Sequence, residues 1–174
     1  SSRNIGTWDK SVDWQSVSFA DFDGDGFEDI AGYAPGPGRW SLLLGNAVGS
    51  YAPVTLPSTG SGKTVTQRLI ANFDGTPGAE ILEWDSSTGN WSATSYAGRV
   101  FKSSGVGQWN KNANWTDFVK GDFWGLGREA VAARSETTGE WWITWSVGSG
   151  VSTSRLKSWA PGTYADTIAA DLKN

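Results

Sequence analysis

Residues 19–30 read FADFDGDGFEDI, and the same phrase returns as IANFDGTPGAEI at 70–81 and KGDFWGLGREAV at 120–131. A fragment of it, AADLKN, stands at 169–174. The anchor residues Asp21, Asn72, Asp122 and Asp171 are 51, 50 and 49 positions apart. Trp40, Trp91 and Trp141 keep the same step, each after a turn with Gly38, Gly89 or Gly139 in one slot. Two looser registers agree: Trp8, Leu56, Trp109 and Trp159, and Trp14, Val65, Trp115 and Tyr164. Several registers sharing one period identify a tandem repeat.

Each period is built of β-type runs. SVSFADF, EDIAGY, RWSLLLG and YAPVTL are short, several alternate with period two, and glycine or proline separates them. No segment offers ten residues of apolar spacing at 3.6, so no helix of consequence is expected. Four strands per period of about fifty residues is the blade of a β-propeller. A β-sandwich would not need three successive units to repeat so closely. The expectation is therefore an all-β chain, residues 1–174 forming one repeat-built domain or half-propeller. Its repeats cover about 16–65, 66–115 and 116–163. Residues 1–8 resemble a fourth strand and 164–172 a first strand, which makes 14 strands, or about 3.5 repeats. Propellers close with about 4–8 blades, and a lone chain would leave apolar flanks of its first and last repeats in water. Completion of a six- or seven-bladed ring by a homo-oligomer, a dimer, is predicted.

Composition narrows the chemistry. There is no cysteine and no histidine among the 174 residues, so thiolate metal sites and histidine-based hydrolase triads are excluded. A net charge of -4 argues against nucleic acid as partner. No run of eighteen apolar residues exists, so no membrane span is expected. The absence of methionine predicts a processed or excised chain. Tryptophan, at 12 residues, is in large excess while overall apolarity is ordinary.

The sharpest local motif is Asp21-Phe-Asp23-Gly-Asp25-Gly-Phe27-Glu-Asp29. Carboxylates stand at positions 1, 3, 5 and 9 around two glycines, and the Phe27 carbonyl would add a neutral oxygen at position 7. A hard cation such as calcium wants six to eight oxygens, and converging carboxylates need a cation to neutralise them. Position 12 is Gly32 rather than the glutamate of an EF-hand, so the loop is a short one between strands. The second copy keeps oxygen donors at Asn72, Asp74, Thr76 and Glu80, with Gly78 at position 7, and two fewer carboxylates. The third copy, from Asp122, has lost positions 3, 5 and 9, and no metal is expected there.

These residues resemble the FG-GAP/VCBS-type repeat of calcium-binding β-propellers, found in integrin α-chains and in bacterial surface or secreted proteins. DFDGDGFED carries the resemblance, and WNKNANWTDFVKGDF and ARSETTGEWW resemble its tryptophan-rich bacterial form. The resemblance implies side-chain ligation of calcium by Asp21, Asp23, Asp25 and Asp29, with Phe27 through its carbonyl. It also implies a secreted or cell-surface location in a bacterium.

Repeated tryptophans are read as core. Those that break the period are free for a binding face: Trp84, aligned with Tyr33 and Arg134, and Trp142 and Trp145. An indole at a rim can stack on a sugar. The function expected is non-enzymatic, lectin-like carbohydrate binding at several sites. The alternatives are a protein-interaction or adhesion module and a fragment of a polysaccharide-active enzyme.

Overall fold

The computed structural model describes residues 4–58, 64–148 and 150–160. They form three four-stranded antiparallel sheets, each with its strands in chain order. The first holds β1 (Gln15–Ala20), β2 (Asp29–Ala34), β3 (Arg39–Leu44) and β4 (Ala52–Thr55). The second holds β5 (Val65–Ala71), β6 (Glu80–Asp85), β7 (Asn90–Ser95) and β8 (Lys102–Gln108). The third holds β9 (Trp115–Gly121), β10 (Ala130–Ser135), β11 (Glu140–Val147) and β12 (Gly150–Ser158). Each acidic or acidic-derived loop joins the first two strands of its sheet. Among the described residues, no helix is long and apolar enough to cross a membrane.

Two compact units are distinguished. One is built around β1–β4 with the short segments Pro77–Ala79 and Ser95–Lys102. The other is built around β5–β12. In this second unit two consecutive sheets share a core. Leu82, Trp84, Trp91 and Ala93 of one sheet meet Val131, Ala133 and Phe118 of the next. The repeated Trp91 and Trp109 sit edge to face at 5.2 Å, as the sequence period requires of scaffold positions.

The recurrent turn glycine has a physical cause. Gly89 and Gly139 have φ of +79° and +71°, a conformation that L side chains rarely adopt. A Cβ at either would also collide with the carbonyl of Trp109 or Trp159. The approach is made close by backbone hydrogen bonds from Trp109 N to Gly89 O (2.8 Å) and from Trp159 N to Gly139 O (2.7 Å). Two of the sequence registers are thus one contact.

The ends differ from expectation. Residues 4–8 form no strand. Polar side chains in and just after this segment bind the local backbone instead: Asn4 Oδ1 accepts from Gly6 N at 2.9 Å, and Asp9 Oδ1 from Ser11 N at 2.9 Å. Such bonds compete with strand pairing. Trp8 lies against Gly32, where there is no side chain to displace it, and its ring centroid is 4.7 Å from that of Trp14. The first-type strand expected over 164–172, with Tyr164 and Asp171, lies outside the described residues. Val17 and Phe19 of β1 are 51% and 67% exposed, and Ala130, Ala132, Trp141 and Ile143 of the third sheet are buried.

Candidate metal centre

The loop between β1 and β2 is held by its own first carboxylate. Asp21 Oδ1 accepts from Gly24 N (2.7 Å) and Asp25 N (3.1 Å), and its Oδ2 accepts from Gly26 N (2.8 Å). Gly24 and Gly26, at φ of +79° and +89°, supply the curl. Asp29, at the start of β2, is fully buried. Its two oxygens accept from Phe22 N at 2.8 Å and Gly45 N at 2.7 Å. Burial holds its carboxyl above the ordinary value, its two backbone donors oppose that, and the charges of Asp23 and Asp21 add to the rise.

Asp23 completes the group. Carboxylate oxygens of Asp21, Asp23 and Asp29 lie within 4.8 Å of one another. The Asp23 side chain is buried; its Oδ2 pairs with Arg99 Nε at 3.0 Å, and its Oδ1 has no hydrogen-bond partner. A buried carboxylate oxygen without a donor is costly unless a cation serves it. The donor set and this orphaned oxygen fit a hard divalent cation such as calcium, with Asp21, Asp23 and Asp29 as the residues that would hold it. Asp25, expected as a ligand, is exposed and not one of these three, and its Oδ1 accepts from Phe27 N at 2.9 Å. Sequence reasoning missed Arg99. It stands in a turn between strands, where no spacing marks it. Gly98 N donates to Asp23 O at 2.8 Å and brings that turn onto the loop.

The second loop repeats the plan with fewer charges. Asn72 Oδ1 accepts from Gly75 N at 3.0 Å, and Asp74 Oδ1 from Thr76 N at 2.7 Å and Thr76 Oγ1 at 2.6 Å. Glu80 takes the place of Asp29: it is buried, and its Oε2 accepts from Phe73 N at 2.8 Å while its Oε1 has no partner. Gly78 has φ of +104°, and Ala97 lies against it. Desolvation, opposed by the Phe73 N–H and reinforced by the charge of Asp74, pushes the Glu80 carboxyl up to about 7.

A raised carboxyl means that the folded chain holds a proton the unfolded chain has released. In metal-free protein, Glu80 should lower stability progressively as pH rises from 4.5 to about 7, by up to about 3 kcal/mol. Glu80→Gln keeps an acceptor for Phe73 N and cannot ionise. With chelator present, it is expected to flatten stability across that window and to exceed wild type at pH 8 in urea denaturation. Parallel pH profiles for the two proteins would refute this.

The third loop keeps only the backbone function. Asp122 Oδ1 accepts from Leu126 N at 2.9 Å and Oδ2 from Gly127 N at 2.7 Å. These N–H groups hold its carboxyl below the ordinary value. Successive loops are also fastened through main chain: Ala79 N donates to Asp21 O at 2.7 Å, and Glu129 N to Asn72 O at 2.6 Å.

The expected rim residues divide by burial. Tyr33, Trp84 and Arg134 are interior, at 8%, 5% and 0% exposure. Trp84 packs on Phe118 at 6.0 Å, and the Arg134 guanidinium meets Asp117 Oδ2 at 2.6 Å. Asp117 has φ of +53° at the bulge in β9, which turns its carboxylate to this task. Trp142 and Trp145 are half-buried, and Trp145 packs on Trp124 at 4.9 Å.

Compared with known proteins, residues 14–52 match the model of the FG-GAP repeat. No curated protein sequence matches the chain. The match takes in the first sheet up to the start of β4 and the whole loop from Asp21 to Asp29. The repeat that gathers three buried or half-buried carboxylates is thus the one similar to an FG-GAP repeat.

Proposed function

We propose that this chain is a non-enzymatic, calcium-binding array of FG-GAP-type propeller repeats that binds carbohydrate, as part of a secreted or cell-surface protein. The observation that carries the metal reading is the Asp21, Asp23 and Asp29 cluster with its buried, partnerless Asp23 oxygen. Calcium there stabilises the loop between two strands and adds to folding by mass action, about 2.7 kcal/mol at a hundredfold excess over Kd. Metal-free protein is expected to melt higher in excess calcium than in chelator, and Asp23→Asn should remove most of that rise. Magnesium should substitute poorly, because it demands a near-octahedral shell and gives up water reluctantly. Equal melting temperatures in calcium and chelator would reject the metal reading.

The carbohydrate reading is supported by indoles at the surface of an all-β scaffold whose sites recur, since several weak sites on one array gain avidity. A second reading, docking of a protein or of another copy of the chain, is favoured by Phe123, Trp124 and Leu126, which stand 42%, 43% and 57% exposed on the third loop. Light scattering separates the two occupants: a second copy doubles the 18.6 kDa chain mass.

A further inference from the structure

Two cavities of about 240 Å³ occupy equivalent places in the two units. One lies beside Trp8 and Trp14, the other beside Trp109 and Trp115. Each is walled by a seven-residue loop with a tryptophan at both ends, WDKSVDW at 8–14 and WNKNANW at 109–115. The two loops fold alike. Trp14 Nε1 donates to Asp9 O at 2.9 Å, and Trp115 Nε1 to Asn110 O at 2.8 Å. The paired rings are 4.7 Å apart in the first and 4.9 Å apart in the second. The opposite wall is a sheet, and there the copies diverge. Arg39 and Ser41 of β3 are replaced by Glu140 and Trp142 of β11.

The geometry points to the cavity of Trp109, Trp115 and Trp142 as a binding site for a single neutral pyranose ring. This rests on the carbohydrate reading above and gives it an address. Its indoles are set before any ligand arrives. Trp109 Nε1 donates to Thr144 Oγ1 at 2.6 Å, and Trp142 Nε1 to Glu140 Oε2 at 3.4 Å. A preformed aromatic wall loses little freedom on binding. The rim carries neutral polar groups: the Asn112 amide and the Thr137 hydroxyl are exposed and make no hydrogen bond with other described residues.

This combination selects one chemistry. A pyranose offers an apolar C–H face to an indole and hydroxyls to amides and hydroxyls around it. A purely apolar ligand would leave the rim groups without partners. An anion would meet no lining Lys or Arg, and the nearest guanidinium, Arg155, is already paired with Glu140 at 2.8 Å. The volume is below the range of drug-sized sites, about 300–1,000 Å³, so one ring is the largest occupant the cavity suits. The copy at Trp8 and Trp14 lacks the third indole and is the weaker site.

The test begins with wild-type protein in calcium on an array of immobilised neutral and acidic glycans. The strongest hit is then titrated as free oligosaccharide by calorimetry. Trp142→Ser restores what the first two repeats carry at this position, Ser41 and Ser92, so the fold should be kept and the melting temperature should confirm it. Binding to neutral terminal sugars, lowered at least tenfold by Trp142→Ser and severalfold by Asn112→Ala, is the expected result. Array binding that neither variant weakens would overturn the assigned cavity and leave carbohydrate binding standing. Preference for acidic glycans would overturn the neutral assignment, and a silent array would overturn the carbohydrate reading with it.

Discussion

Trp91→Ala is expected to cost the fold about 3–5 kcal/mol, the usual loss for a large aromatic removed from a packed interior. Trp91 is 2% exposed and packs on both Trp109 and Phe118, so the void would open where two sheets share their core. Trp109, tethered by its Nε1 bond to Thr144 Oγ1, cannot slide in to fill it. Trp84→Ala should behave the same way, because Trp84 belongs to the same core despite falling outside the tryptophan period. Trp142→Ala, at a half-buried site, should cost far less. Guanidinium denaturation of the three variants reads the difference, and similar losses in all three would break the distinction.

Asp29→Ala should be as damaging as a core truncation, and in chelator as well as in calcium. The carboxylate is the acceptor for two backbone N–H groups, Phe22 and Gly45, that would be left buried without partners. Each such orphan costs about 1–3 kcal/mol, so the loss is expected to be about 2–6 kcal/mol. Asp29→Asn keeps one acceptor oxygen and should lose less while forfeiting most calcium stabilisation. Denaturation in chelator measures the first effect; the calcium-dependent melting shift measures the second. A loss below about 1 kcal/mol for Asp29→Ala in chelator would mean that these bonds do not brace the fold.

The period, the strand content and the loop position were all legible in the sequence, because each is a local pattern repeated in register. Asp21, Asn72 and Asp122 mark where β1, β5 and β9 end, and the turn glycines mark where the next strand pair is joined. What was not legible depends on contacts distant in the chain. Arg99 meets Asp23 across 76 positions, and no spacing rule connects them. Trp84 and Arg134 lie in the core rather than at the rim for the opposite reason. A break in a repeat does not release a side chain from the core, because the β9 bulge supplies Asp117 to keep a buried arginine paired. No strand forms over residues 4–8, where Asn4 and, just beyond, Asp9 satisfy backbone donors nearby, a choice that an apolar pattern does not reveal.

The fastening of one loop to the next has a consequence for how such arrays change over time. Ala79 N and Glu129 N bind Asp21 O and Asn72 O, the Glu129 carboxylate also accepts from Asn72 N, and Asp122 still ties its own turn after the other donors have gone. Substitution can therefore strip a loop of its acidic side chains without unbuttoning it from its neighbour. A chain built this way can lose those carboxylates one repeat at a time, and each repeat so released is free to take up other work.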